Sequence, residues 1–346
     1  MQNSTLNYLA EAGQRAPSAD NSQPWIFYEK NNELQLFIDL DKLKNSCFNR
    51  EHPAILLAIG AVIENIIQAA EFHQIDLDFN NFPPQDSGKC ATFKIKDNNF
   101  KEPDTTDQPD LFKRCTNRLP FNKRTIQQVV LDDLLSLSTD NVRLVAYQTK
   151  EEIIQWEKWV RIASEVRFQT PDVHEWFGQS LKFTPDEVDC CEGLDVKSLE
   201  LPAIGNFLLK ATQTWKQMQS WNKFYAYKAF AKLESLNVNA APALLAIAAP
   251  LGAANTIEAG RLMERMWIQA NAFGLSIQPY FVISDQLYRF NQGKIPSNLE
   301  DSIAQLQDEI NSTLQLDNEF IYILFRVGYC DKSPKKSLRR SVDIKI

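Results

Sequence analysis

The chain has 346 residues, 44% of them apolar and 23% charged, and a formal net charge of −7. That length allows about two domains, and the acidic balance argues against bulk nucleic-acid binding, which needs a basic face. The longest apolar run, 240–254, is broken by Pro242 and Pro250 and is too short to cross a bilayer, so no transmembrane protein is expected. No basic segment leads into an apolar one at the amino terminus, so the six cysteines are expected as reduced thiols in the cytoplasm.

A helix is expected from Leu6 to about Ala16, stopped by Pro17, and is followed by a loop over 17–25. Strands are expected at Trp25–Glu29 and Leu34–Ile38, then a long helix, Ala54–Gln74, apolar almost all round and therefore central to a domain. Short strands at Leu77–Phe79 and Thr92–Ile95 alternate with proline- and asparagine-rich linkers. The stretch from 75 to 110 is the expected boundary, between a first lobe at 1–105 and a second at 106–346.

The second part reads as helices at Asp110–Asn117, Ile126–Leu137, Lys150–Arg167, Ala203–Thr212 and Trp215–Leu236, with a strand at Val142–Ala146. A buried strand Ala243–Ala248 follows, then a long helix Ile257–Phe273 ended by Gly274. Strands Leu275–Ile283 and Phe320–Val327 bracket a helix at Ser302–Leu314. The order is α+β, with mixed sheets packed on long central helices. The two long helices and their exits look like one unit used twice.

Candidate chemistry is narrow. Glycine is scarce, 11 residues, and neither GxGxxG nor GxxxxGK[ST] occurs. His52, His73 and His174 stand alone and no cysteines have CxxC spacing, which argues against zinc and against a Ser-His-Asp or Cys-His mechanism. No metal ligand and no catalytic acid or base is assigned. From Lys332 onward six basic residues face only Asp343, a local charge of 6 − 1 = +5 in an acidic chain. That tail is either a solvated basic end or an anion site.

The segment Ala16-Pro17-Ser18-Ala19-Asp20-Asn21-Ser22-Gln23-Pro24-Trp25 resembles the APSxxNxQPW signature of the nitroreductase-like flavoprotein family. Arg114-Cys115-Thr116-Asn117-Arg118-Leu119-Pro120-Phe121 resembles its RxSxRxF segment, with Thr116 in place of serine and Phe121 one place late. The segment Phe273–Tyr280 resembles its GL-to-P strand, without the Glu-Gly that often follows, and the basic tail resembles its terminal Lys/Arg segment. In the family the arginine segment comes first; here the order is reversed. The resemblance therefore implies a fused, two-lobed nitroreductase-like fold, a pseudo-dimer, with one FMN between the lobes.

The same resemblance implies the site. Arg114, Thr116, Arg118, Arg339 and Arg340 would hold the FMN phosphate, a guanidinium being a forked donor for phosphate oxygens. Pro17, Ser18 and Asn21 would meet the ring edge, and the backbone of Gln278, Pro279 and Tyr280 the N5 side. The implied activity is ping-pong reduction of a small nitro, quinone-like or unsaturated acceptor by NAD(P)H, in a monomer or a homodimer with self-contained sites, with neither nucleic acid nor membrane as partner. The alternative is a non-catalytic protein that sequesters flavin or has lost it. Read alone, Asn21 and Gln23 would close a turn, and Arg114 and Arg118, four apart on a helix, would pair with Asp107, Asp110 or surface glutamates.

Overall fold

The computed structural model describes residues 2–96 and 108–346. The 97–107 linker, with Asp107 and the expected 105/106 boundary, lies outside the described residues. Helix α1 (Gln2–Gln14) leads through the 17–24 loop into the hairpin β1 (Trp25–Lys30) and β2 (Glu33–Ile38). Its two-residue turn is Asn31-Asn32, both with positive φ, the left-handed pair that matches strand twist. A short α2 (Leu40–Leu43) precedes the central helix α3 (Pro53–Phe72), started by Pro53 behind an N-cap at His52. Strands β3 (Leu77–Asn81) and β4 (Lys89–Ile95) complete the first sheet, in the order β11-β1-β2-β4-β3, where β11 is Ile344–Lys345.

The second half runs through α4 (Gln128–Leu135), β5 (Arg143–Tyr147), α5 (Lys150–Arg167) and α6 (Pro171–Ser180). The small parallel pair β6 (Leu181–Lys182) and β7 (Leu194–Asp195) flanks α7 (Pro185–Val188), and α8 (Ala203–Ala211), α9 (Trp215–Asn222) and α10 (Ala226–Asn239) follow. Strand β8 (Ala243–Pro250), helix α11 (Ala253–Ala272), β9 (Ser276–Tyr280), α12 (Val282–Asn291), α13 (Glu300–Leu314) and β10 (Glu319–Gly328) close it, with sheet order β5-β8-β10-β9. The architecture is α+β. Strand β8 lies between β5 and β10, which accounts for the unbroken apolar run ALLAIA.

The halves repeat one plan. The orders β1-β2-β4-β3 and β5-β8-β10-β9 are the same, with every neighbouring pair antiparallel. Helices α3 and α11 are each 20 residues long and carry glycine at the eighth position, Gly60 and Gly260, and glutamate at the twelfth, Glu64 and Glu264. Both end in a left-handed residue, Gln74 or Gly274, after which Ile75 N–H donates to Ala70 O and Leu275 N–H to Ala270 O. At their crossing a Cβ on Gly60 would lie 2.1 Å from Ile257 O and one on Gly260 2.3 Å from Leu57 O. The contact is reciprocal and backbone to backbone. Helix α3 is long and apolar enough to span a membrane, but it is enclosed by protein, packed on α1 and α11.

Four local expectations need correction. Asp110–Asn117 is not a helix: only Asp110–Phe112 makes a 3₁₀ turn, and Thr116 bridges to Ile277 as extended chain. The strand expected over Leu275–Ile283 stops at Tyr280, and the amphipathic VISDQLYRFN forms α12. The helix expected over Trp215–Leu236 is two, broken where Tyr225 adopts φ +60°. Helix α6 was not expected.

Replacing Gly60 by Ala should destabilise the chain by an amount at or beyond the top of the ~1–3 kcal/mol usual for overpacking. Gly274→Ala, whose Cβ would meet open space, should cost only about 1 kcal/mol for its φ of +76°. Urea unfolding of the two variants checks the ranking.

Candidate functional site

The 17–24 loop is held in a strained shape. Asp20, Asn21 and Gln23 have φ of 49°, 56° and 48°, a region that costs of order 1–3 kcal/mol for a residue with a Cβ, least for Asn and Asp. Polar contacts offset this. Ser18 Oγ accepts from Gln23 N–H at 3.0 Å. The fully buried Gln23 amide donates to Cys191 O (2.8 Å) and Asn21 O (3.2 Å), and its Oε1 accepts from Gln14 Nε2 (2.7 Å) and Arg340 N–H (3.0 Å). Gln14 Oε1 accepts in turn from Trp25 Nε1 at 2.9 Å. Asn21 Oδ1 accepts from Arg339 Nη1 (2.8 Å), while its Nδ2 donates to Gly193 O (3.0 Å) and Leu338 O (3.1 Å).

The arginine segment reaches the same place as extended chain. Its backbone is pinned by α11 and β9: Cys115 N–H donates to Asn271 Oδ1, Trp267 Nε1 donates to Cys115 O, and Asn117 N–H donates to Ile277 O. Among the described residues Arg114 pairs with a buried acid and not with a surface one. Its Nε lies 2.8 Å from Oε1 of the fully buried Glu264, Nη2 donates to Arg15 O, and the guanidinium sits 4.7 Å above the Trp267 ring. Arg118 Nη1 donates to Ser198 O at 3.1 Å. Behind this strand the fully buried Arg326 donates to Gln278 Oε1 and to the carbonyls of Asn117 and Leu119.

Arg15, Arg114, Arg118, Lys335, Lys336 and Arg339, with Thr116 and Ser337, line a small cleft of about 60 Å³, and among the described residues no carboxylate lines it. Burial and neighbouring charge act together here. Arg339 is pushed down to about 9 by burial first and then by Arg114 and Arg15. Burial also lowers Arg118, with Asp20 and Tyr280 opposing. Asp20, at the other side of Arg118, is pushed up to about 6 by burial, against the pull of Arg167 and Arg118.

Of the candidate residues, Arg114, Thr116, Arg118 and Arg339 share the cleft, and Asn21 is tied to it through Arg339. Pro17 and Ser18 stay in the loop beside it, where Ala16 O accepts from Arg339 Nε. Arg340 turns away, donating to Gln23 O and lying 3.8 Å from Glu192. On β9, Gln278 is engaged by Arg326, Pro279 pairs with Phe325, and Tyr280 is buried. Arg15, Glu264, Trp267, Lys335 and Lys336 had not been singled out as a set. Arg15 abuts the signature and both lysines lie in the basic tail, but Glu264 and Trp267 carry no signal beyond helical periodicity.

Each histidine meets a neighbour: His73 Nε2 lies 2.9 Å from Tyr8 Oη and His174 Nε2 2.7 Å from Thr212 O. His52 Nδ1 accepts from Ala54 N–H and Nε2 faces Asp285 at 3.3 Å, while burial pushes the nearby Cys47 thiol far up, so neither is poised as base or nucleophile. Among the described residues no group of three or more His, Cys, Asp or Glu could hold a metal.

Glu264 is pushed up to about 7 by burial, with Arg114 opposing, from an ordinary 4.5. Between those values the folded chain keeps a proton that the unfolded chain has lost. Stability should therefore fall as pH rises from about 4.5 to 7, by on the order of 3 kcal/mol from this group. Asp20 acts in the same direction between 3.8 and about 6. Glu264→Gln should flatten the dependence, as read from urea unfolding at pH 5 and pH 7. Arg114→Ala removes the cation that opposes this rise, so Glu264 should stay protonated at pH 7 and the loss of stability should move to higher pH in the same unfolding series.

No protein-family model matches the chain. The uncharacterized protein MT1398 of Mycobacterium tuberculosis (strain CDC 1551 / Oshkosh) is 27% identical over 289 residues, 80% of this chain and 38% of its own length. The chain thus spans less than half of that relative. Among solved structures, an FMN-dependent nitroreductase from Clostridium difficile R20291 matches 67% of this chain and 91% of its own, at 13% identity and TM-score 0.35. The FMN-dependent nitroreductase NfnB from Mycobacterium smegmatis, solved in complex with NADPH, matches 64% and 86% at 14% identity and TM-score 0.36. A nitroreductase with bound FMN from Bacteroides fragilis NCTC 9343 matches 68% and 96% at 10% identity and TM-score 0.36. All three of these solved structures are nitroreductases.

Proposed function

We propose that the chain is a flavoprotein oxidoreductase of the nitroreductase type, holding one FMN by its phosphate in the basic cleft. It would take electrons from NAD(P)H and pass them to a small nitro, quinone-like or unsaturated acceptor. The observation that carries this reading is convergence: the two segments that resemble the family's signature, 17–23 and 114–118, meet at Arg339 although about a hundred residues separate them. Both belong to one chain, so a monomer, or a homodimer with self-contained sites, is the assembly we propose, with the cytoplasm as its compartment.

The donor set fits a phosphate monoester. Arg114, Arg118 and Arg339 offer forked N–H donors, Thr116 a hydroxyl, and Lys335 and Lys336 further charge. An anion there would relieve the mutual repulsion that depresses Arg339. The cleft's 60 Å³ takes a phosphate, whereas pockets for drug-sized ligands run to about 300–1,000 Å³. The rings would extend past Arg118 toward Pro17, Ser18 and Asn21 on one side and the 278–280 backbone on the other. FMN, when bound, supplies the hydride chemistry; the chain's residues bind its anionic end and orient it. Arg340 then acts by holding Gln23, not by touching phosphate.

A second reading, a scaffold that holds no flavin, is favoured by the closed hydrogen bonding of Asn21 and the commitment of Arg114 to Glu264. Heat-released flavin measured against protein separates the two. About one FMN per chain is expected; none, with no rise in Tm on adding FMN, supports the scaffold. Two per chain, or FAD, would defeat the single-site reading.

Arg118→Ala should weaken FMN binding by about 1.5–3 kcal/mol, the loss of a charge-assisted donor. Lys332→Ala, on the exposed tail, should cost under about 1 kcal/mol. Titration of flavin fluorescence with each variant reads the difference, and equal losses would reduce the basic residues to a diffuse field.

A further inference from the structure

Residues 189–200 lie across the loop and the tail that frame the cleft, and their carboxylates hold one of its cations, Lys335, and two beside it, Lys42 and Arg340. Glu192 is paired with Lys42 and lies 3.8 Å from Arg340. Asp195 Oδ2 is 2.5 Å from Lys335 Nζ, and Glu200 Oε1 accepts from Lys335 N–H at 3.0 Å. The backbone adds to this: Gly193 and Asn21 exchange hydrogen bonds, Cys191 O accepts from Gln23, and Ser198 O accepts from Arg118. The same segment therefore occupies partners on three residues of the proposed flavin site, Asn21, Arg118 and Lys335.

The segment packs apart from the main core. Leu194 and Val196 pack with Leu181 in a small cluster separate from the main core, so its release leaves the main core closed. Small satellite clusters tied down by polar contacts belong to the low-stability end of a fold. Cys191, Gly193 and Glu200 have φ of 58°, 83° and 55°, which places backbone breaks at both ends of the stretch.

We propose that residues 189–200 form an acidic strap that shuts the ring side of the basic cleft by holding Asn21, Arg118 and Lys335, braced by Glu192 on Lys42 and Arg340 beside it, and that a phosphate ligand bearing a ring system displaces it, whereas inorganic phosphate enters beneath it. The inference rests on the flavin reading above. The strap selects ligands by size. A closed strap lowers apparent affinity for the large ligand by the fraction of molecules that are open, and leaves a small anion nearly untaxed.

The test compares wild type with the triple variant E192Q/D195N/E200Q, which keeps the strap's shape and removes its charge, in titrations with FMN and with inorganic phosphate. FMN should bind the variant at least tenfold more tightly, and phosphate within about threefold of wild type. Unchanged or weaker FMN binding by a folded variant that still binds phosphate overturns the strap. Hydrogen exchange on the wild-type chain gives a readout independent of the variant's folding: backbone amides of 189–200 should exchange faster with FMN bound and unchanged with phosphate. Slower or unaltered exchange with FMN bound also overturns it. If neither protein binds either ligand, the flavin reading itself fails, and the strap with it.

Discussion

Contact between two helix backbones governs the placement of everything else. Because Gly60 and Gly260 lack side chains, α3 and α11 touch directly, and residues one turn onward are forced beside the seam. Those residues are Glu64 and Glu264, both buried. A buried carboxylate needs a cation, and the repeat meets that need in two ways. At the thirteenth helical position α11 supplies Arg265, which with Arg261 holds Glu64. The same position of α3 is Asn65, a neutral partner to Glu264. The second glutamate is left short of charge, and Arg114 comes from outside both helices to supply it. The arginine segment is thus anchored by an asymmetry in an otherwise repeated helix pair.

That anchoring carries an electrostatic cost. Arg326, Arg114 and Arg339 are cations inside or at the edge of the protein with a single fully buried carboxylate, Glu264, close to two of them. The left-handed residues of the 17–24 loop add backbone strain in the same few ångströms. Local rules broken together at one place are the usual mark of a functional site. Here the same residues explain both features: Asn21 needs its left-handed backbone to offer Oδ1 to Arg339 and Nδ2 to Gly193 and Leu338.

The α+β plan was legible because its signals are periodic: all-round apolarity marks α3, an unbroken apolar strand marks β8, and proline marks the end of α1. Errors fell where tertiary contact overrides local pattern. Residues 110–117 have helical spacing, yet Trp267, Asn271 and Ile277 offer the backbone better partners as extended chain. The pairing of Arg114 with Glu264 spans 150 residues, and no periodicity announces it. The strap was invisible for the same reason: its acids look like a solvated face until the tail folds back on them.

The reach of that tail has a consequence for biosynthesis. Arg339 is made 318 residues after Asn21, an interval on the order of tens of seconds at roughly 5–20 residues per second. The first sheet's hairpin and α3 emerge early, but the signature loop has neither Arg339 nor Gly193 to hold its left-handed residues until most of the chain exists. Until the second half is made, α3 also lacks α11, the helix it is closed against, so the early half waits with an open seam as well as an open loop. Seam and cleft therefore close only when the second half reaches back to the first.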